Sequence, residues 1–379
     1  MHNELDDCSR HLLKLLETAD PDIERLLVDE AALDRNIARL KDMTEAANIA
    51  YRPHTKTHKS VVIAEKQIAA GAIGICCAKL GEAEVMAANG IDKILITTAV
   101  VGESKISRLM QARTQSHISV VADNEDNIAM LGSIAQLSGM KLDVLIEVDI
   151  GQGRCGATPG PEAARLARLV QNHGWLNFAG LQGYQGGIQM TVDTDERRGA
   201  TETGLDKLAA TIADAEKEGL NVVIRTGGGT GTSPFDLDIG LLTEIQTGSY
   251  VFMDSRYAGI GWPGANAPPF ENSLHIWTAV VSKPVPDRVI IDAGLKAASN
   301  DHGPPLVADI DGCVFEYGGD EHGILHMADG GEVPLEVGDK LRLIPSHCDT
   351  TVNLYDQYMV VQDDDVVDVW SVDARGRVQ

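Results

Sequence analysis

From Ile49 onward the chain alternates, with little interruption, between short apolar runs and stretches of helical periodicity. The runs are Ile49–Arg52, Gly74–Ala78, Lys93–Thr97, Ile118–Val121, Val144–Val148, Phe178–Gln182, Val222–Arg225 and Glu244–Gln246, the last followed by Tyr250–Phe252. Helices are expected between them at 59–70, 80–89, 103–112, 124–137, 161–171 and 202–218, with a short helical turn at Ile239–Leu242. Runs this short and this apolar read as strands covered on both faces. Eight strand–helix units in about 210 residues predict a closed (β/α)8 barrel of the TIM type. An open doubly wound sheet is the alternative, but its Gly-rich loop should follow the first strand. Here the Gly-rich loop, Gly227-Gly228-Gly229, follows the seventh.

Before the barrel, a polar helix is expected at Ser9–Ala19 and a strand at Leu26-Leu27-Val28, and Asp29 suits the cap of the next helix. Leu33, Ile37, Leu40 and Met43 mark one face of that helix. After about residue 265 the rhythm changes. Leu274–Val281, Arg288–Asp292, Leu341–Ile344, Met359–Val361 and Val366–Trp370 are separated by turn residues and read as an antiparallel β domain. The expected divisions are an N-terminal extension and strand packing with the β domain (1–28), a barrel (29–265) and the β domain (266–379).

Charge and cysteine usage narrow the function classes. The formal net charge is -24, from 32 basic and 56 acidic residues, which argues against a nucleic-acid partner. No run approaches membrane-spanning length, and the acidic start Met1–Asp7 lacks the form of a signal peptide. The cysteines at 8, 76, 77, 155, 313 and 348 have no metal-knuckle spacing and read as reduced thiols of a cytoplasmic protein.

In this acidic chain the stretch from Arg52 to Lys59 concentrates Arg52, His54, Lys56, His58 and Lys59 at the end of the first barrel strand. Strand ends carry the chemistry of a barrel. The others deliver Glu147, Asp149 and Arg154; Gln182, Tyr184 and Gln185; Thr226 with Gly228, Gly229 and Thr230; and Gln246, Gly248 and Ser249. Consecutive glycines let backbone amides approach a phosphate, and loops after strands seven and eight form the usual barrel phosphate cup. No Gly-Lys-Ser/Thr follows, so this is not a Walker loop. A phosphate cup facing a lysine on strand one points to pyridoxal 5'-phosphate, which needs an amine for its Schiff base. Period-two alternation would aim His54, Lys56 and His58 to one side, which selects Lys56 over Lys59. Arg154 is a candidate for the ring hydroxyl or a substrate carboxylate, and Thr226 or Arg225 for the ring nitrogen.

A second cluster is Ile344-Pro345-Ser346-His347-Cys348-Asp349. In an extended segment His347 and Asp349 would project together and suit a divalent ion such as Mn2+, Mg2+ or Co2+, with Cys348 pointing away. Asp292–Lys296 and Asp320–Gly323 either line a cleft or close loops.

These segments together resemble one family. Arg52–Lys59, Glu147–Gly156, Gly183–Gln189, Gly227–Gly231, Gly248–Asp254, Asp292–Lys296, Asp320–Gly323 and Pro345–Asp356 are similar, in order, to the D-threonine aldolases and 3-hydroxy-D-aspartate aldolases. Those are pyridoxal-phosphate enzymes of alanine-racemase-like fold (fold type III). The resemblance implies that Lys56 is the Schiff-base lysine, that Arg154 lies near the ring hydroxyl and that Tyr184 is an active-site tyrosine. It places Gly228, Gly229, Thr230, Gly248 and Ser249 in the phosphate loops and makes His347 and Asp349 the metal ligands. It implies a homodimer acting on a D-3-hydroxy amino acid (D-threonine or 3-hydroxyaspartate), releasing glycine and an aldehyde. The related D-serine dehydratases place a cysteine two residues after the histidine and use zinc; here that position is Asp349, which favours the aldolase. A D-serine or 3-hydroxyaspartate dehydratase, releasing ammonia and a keto acid, is the alternative. Two positions depart from the family pattern. Ala19-Asp20-Pro21 stands where Asp-Thr-Pro is usual, and Met190 stands where the aldolases often carry histidine.

Overall fold

The computed structural model describes residues 24–264, 267–362 and 365–379. The chain divides into two compact units. Of the described residues, one holds those in Ile37–Tyr250, Ile260–Pro269 and Gly376–Gln379; the other holds those up to Asn36 and in Val251–Gly259 and Phe270–Arg375.

The first unit is built on eight parallel strands: β2 (Ala50–Tyr51), β3 (Ile75–Cys77), β4 (Ile94–Ile96), β5 (Ile118–Ala122), β6 (Leu142–Val148), β7 (Leu176–Gly183), β8 (Ile224–Gly227) and β9 (Glu244–Ile245). Their order is β2-β9-β8-β7-β6-β5-β4-β3. The two ends of this sheet meet where the continuation of β2 bridges β3 at His54 and Cys76. There the Cys76 amide donates to Pro53 O and the Thr55 amide to Cys76 O, each at 2.8 Å. The expected barrel is therefore present, with β2 and β3 joined by a short bridge and not by a full ladder. The apolar runs fill the interior. Cys76, Leu95, Val121 and Leu145 form a buried layer against which Ala179 and Ile224 pack. Each large aliphatic buried this way contributes about 1.5–3 kcal/mol.

The helix Glu125–Ser138 shows how local sequence sets an element. Asn124 accepts from the Asp126 and Asn127 amides at its start, and Gly139, at φ 67, closes its end. Ile128, Leu131, Ile134 and Ala135 form its buried face. The helix expected at 202–218 instead runs Thr194–Lys217, capped by Asp193. The charged run Asp195-Glu196-Arg197-Arg198 conceals the helical pattern, because the residue that turns inward there is Arg197. Tyr250-Val251-Phe252, expected as strand, begins in a 3-10 turn, Ser249–Val251. All three side chains are buried, so an apolar run there marks burial and not extension. The helical turn expected at Ile239–Leu242 is the helix Ser233–Ile239.

The second unit is a nine-stranded sheet comprising β1 (Arg25–Asp29), β10 (Leu274–Val285), β11 (Arg288–Ile291), β12 (Leu306–Val307), β13 (Cys313–Tyr317), β14 (Gly323–Met327), β15 (Lys340–Ile344), β16 (Gln357–Gln362) and β17 (Asp365–Ser371). The first part of β10 pairs with β1 on one side and β15 on the other, and its last part pairs with β11. Every pairing is antiparallel except β1 with β16. Strands β12, β13 and β14 went unread in the sequence; Phe315 and Leu325 are the buried hydrophobic side chains of the last two. Asp29 caps the helix Glu30–Ala47 by accepting from the Ala32 amide at 2.9 Å. The helix expected at Ser9–Ala19 and the stretch Asp20-Pro21-Asp22 lie outside the described residues. Among the described residues the five cysteines are free, and no helix is long and apolar enough to cross a membrane.

Candidate functional site

The basic motif resolves into separate roles. Arg52 forms a two-point ion pair with Glu244, at 2.9 and 3.0 Å, and donates to Lys93 O. Lys59, held at φ 51, pairs with the buried Glu82, whose carboxylate also accepts the Ala78 and Lys79 amides. Both cations are thus engaged in holding the fold. Beyond His54 the chain does not continue as a strand, so the period-two alternation invoked for His54, Lys56 and His58 fails. Residues 55–58 form a turn, with the His58 and Lys59 amides donating to Thr55 O. The histidines instead lock this turn. His54 Nδ1 accepts the Lys56 amide at 3.3 Å, and its Nε2 meets Thr97 Oγ1 at 3.0 Å. Since Thr97 Oγ1 donates to Cys77 O, the imidazole Nε2 is the donor to Thr97. His58 Nδ1 accepts the Ser60 amide in the same manner. Lys56 itself is half-buried on this turn.

The loops after β8 and β9 adjoin the turn. A Cβ on Gly248 would crowd Thr57 Oγ1 and His54 O. Gln189 clamps the Gly-rich loop from beneath: its Oε1 accepts the Gly231 amide at 3.0 Å and the Thr232 amide at 3.2 Å. Thr230 Oγ1 accepts the Tyr250 amide at 3.0 Å, linking the two loops. Among the described residues no protein acceptor takes the amides of Thr230 or Ser249. The buried hydroxyls of Thr57 and Thr247 likewise have no protein partner. Buried donors of this kind are expected to find acceptors, and a phosphate supplies several. The loops therefore fit the phosphate end of the cofactor.

Thr226 and Gln182 sit level on neighbouring strands. Gln246 Nε2 donates to both, at 2.9 and 3.0 Å, and Gln182 Nε2 donates to Thr97 O. Glu147 faces Gln182 across β6 and β7. Burial pushes its carboxyl up to about 7, Asp123 adds to the rise, and Arg154 and Gln182 draw it back. Arg154 is exposed and lies over the Tyr184 ring, 5.8 Å from its centroid. Met190 is half-buried.

The β unit carries its own cluster. His347 is the extended residue before the short helix Cys348–Val352, so Asp349 lies in a helical turn. The expectation that the two project together from an extended segment does not hold. Cys348 is buried and donates to Met253 O at 3.2 Å. The ligand atoms that gather within 4.8 Å of one another belong to Asp301, His302 and His347, and Asp349 stands outside that trio. His347 Nδ1 meets Asp301 Oδ2 at 2.6 Å, and the His302 and His347 rings stack at 4.4 Å. Burial works against the Asp301 carboxylate, but hydrogen bonds from His347 and Ser299 hold it below its usual range. Burial, and then the neighbouring His347, lower the His302 imidazole. Asp254, fully buried, caps the helix Ser255–Ala258; burial raises its carboxyl to about 6. Asp320–Gly323 close the turn between β13 and β14, with the Gly318 amide on His322 O.

Two family descriptions match this chain: the alanine racemase N-terminal domain over residues 28–256, and a serine-dehydratase-type domain over 273–361. A D-threonine aldolase from Arthrobacter sp. is 41% identical over 94% of this chain and 93% of its own length. The chain belongs to the D-threonine aldolase and 3-hydroxy-D-aspartate aldolase family. A 3-hydroxy-D-aspartate aldolase from Paracoccus denitrificans is 38% identical over 93% of this chain and 92% of its own. The crystal structure of D-threonine aldolase from Filomicrobium marinum superposes with a TM-score of 0.90 at 38% identity, covering 94% of this chain and 96% of that one. Like its family, this aldolase-type chain is a pyridoxal-phosphate enzyme of fold type III. Its pairing of Asp301 with His347 went unread in the sequence, where Asn300-Asp301-His302-Gly303-Pro304 looks like an ordinary polar turn. The adjacent Asp-His pair was the one available signal.

Proposed function

We propose that this enzyme cleaves D-3-hydroxy amino acids, D-threonine or 3-hydroxyaspartate, to glycine and an aldehyde, using pyridoxal phosphate and a divalent cation. One observation carries the choice of aldolase over dehydratase. The donors around His347 are imidazoles and carboxylates, while the adjacent thiol of Cys348 is buried against Met253 O. That set suits Mn2+ or Mg2+ and not a thiolate-bound zinc.

In the barrel unit, Lys56 Nζ holds the cofactor. The loop residues Gly228, Gly229, Thr230, Gly248 and Ser249 enclose its phosphate, with the Thr230 and Ser249 amides as donors; Thr226 serves its ring nitrogen, and Arg154 with Tyr184 its ring hydroxyl. When bound, the cofactor supplies a conjugated ring that accepts the electrons of the broken Cα–Cβ bond. His54 braces the Lys56 turn through its two ring nitrogens, Nδ1 on the Lys56 amide and Nε2 on Thr97 Oγ1. Burial raises the Glu147 carboxyl to about 7, so near neutral pH it can donate as well as accept.

In the β unit, Asp301 occupies Nδ1 of His347 and so directs Nε2 outward as the ligand atom. His347 and Asp349 hold the cation, with Asp301 orienting the ring. A cation held there would supply Lewis acidity that lowers the pKa of a hydroxyl bound to it. The same reading includes a homodimer.

Product analysis tests this directly. Incubating the enzyme with D-threonine, D-3-hydroxyaspartate and D-serine, with and without Mn2+, is expected to give glycine plus aldehyde from the first or second, dependent on the metal. Lys56→Ala should abolish both turnover and the cofactor's visible absorbance. Ammonia and a keto acid as products would overturn the aldolase reading in favour of the dehydratase.

A further inference from the structure

Arg197 is fully buried, among the largest side chains in the molecule to be so. No carboxylate forms an ion pair with it among the described residues. Its Nε donates to Gly231 O at 3.0 Å, and its two terminal nitrogens donate to Thr191 O and Gly261 O. The guanidinium lies 5.5 Å from the Phe235 ring centroid and 5.9 Å from that of Trp262. Carbonyls and ring faces satisfy its donors but supply no opposite charge. A buried charge ordinarily has one. The acid whose charge acts on it, Asp193, forms no ion pair with it and caps the helix Thr194–Lys217, its carboxylate accepting the Glu196 amide at 2.8 Å, and Asp236, next to Phe235 in sequence, does not fill that part either. Burial pushes its carboxyl up to about 7, and it is already engaged by Thr232 Oγ1 at 2.7 Å.

The first carbonyl that Arg197 holds belongs to Gly231, in the Gly-rich loop. From the other side, Gln189 takes the amides of Gly231 and Thr232. The amide of Thr230 is left without a protein acceptor. The loop is thus clamped over a buried cation while presenting unsatisfied donors of its own. We propose that Arg197 is a positioning residue of the phosphate cup, and that the phosphate dianion of the cofactor is the missing counter-charge of its guanidinium. The proposal rests on assigning that phosphate to the Gly-rich loop. At low effective dielectric a cation acts on a dianion through an intervening peptide, and its donation to Gly231 O polarises the loop.

Affinities of the apoenzyme for pyridoxal phosphate and for pyridoxal, which lacks only the phosphate, test this. Both are measured by equilibrium titration of the wild type, Arg197→Gln and Arg197→Lys. The wild type should prefer the phosphate ester. Arg197→Gln should lower affinity for the ester about tenfold or more while changing that for pyridoxal little. Arg197→Lys, which keeps the charge, should retain most of the wild-type ratio. An unchanged ratio in Arg197→Gln, or an equal loss for both ligands, overturns the role of Arg197. A wild type that does not distinguish the ligands overturns the phosphate cup itself. If Arg197→Gln does not fold, the lysine variant decides, since a ratio that collapses despite the retained charge refutes the counter-charge.

Discussion

At the scale of single residues, the metal cluster makes the sharpest claim. His347 Nδ1 is taken by Asp301 at 2.6 Å, so only Nε2 is available to a cation. If Asp301 orients the ring, Asp301→Asn should weaken Mn2+ binding by about 10–100-fold, the usual cost of losing such a partner. Removing His347 or Asp349 should abolish binding. Calorimetric titration with Mn2+ checks this. Wild-type affinity in Asp301→Asn would remove Asp301 from the site, and wild-type affinity in Asp349→Asn would leave the ion to the trio Asp301, His302 and His347. The same scale shows what the two histidines next to Lys56 do for the turn. Each spends Nδ1 on the backbone amide two residues ahead.

At the scale of elements, the Gly-rich loop is held by close packing as much as by hydrogen bonds. A Cβ on Gly231 would overlap the carbonyl oxygen of Gln189, a backbone atom that cannot swing away. Gly231→Ala should therefore destabilise the protein by about 1–3 kcal/mol, the usual cost of overpacking, and lower cofactor affinity with it. Denaturant titration of the apoenzyme measures the first effect. A variant as stable as the wild type would show that the clamp by Gln189 is not tight. The helix Thr194–Lys217 belongs to the same assembly. Its first turn looks like a solvated charge run, yet it delivers Arg197 to the underside of the loop.

At the scale of the whole molecule, buried carboxyls set a pH dependence. Burial raises Asp236 from 3.8 to about 7, and Glu147 and Glu24 from 4.5 to about 7. A carboxyl raised on folding binds its proton more tightly in the native state than in the unfolded one. Its contribution is complete below about pH 4 and is lost as pH climbs through about 7. Unfolding free energy should therefore decline between about pH 5 and 7.5. Asp236→Asn, which has no proton to lose, should flatten that decline relative to the wild type. Parallel pH profiles of the two proteins, from denaturant midpoints, would refute the assignment.

The sequence alone determined the alternation that makes a barrel, because strands covered on both faces must be short and apolar and helices must show a 3.6-residue stripe. It also singled out Lys56, the Gly-rich loop and His347 as candidates, since an amine, consecutive glycines and an imidazole are local signatures of their chemistry. Contacts distant in sequence were decided only by the fold. The pairing of Asp301 with His347, the engagement of Lys59 by Glu82, and the burial of Arg197 beneath Gly231 each join residues more than 20 positions apart. A buried charge and a solvated one have the same letters. Their difference lies in desolvation and in the partner found across space, and neither is written in the local pattern.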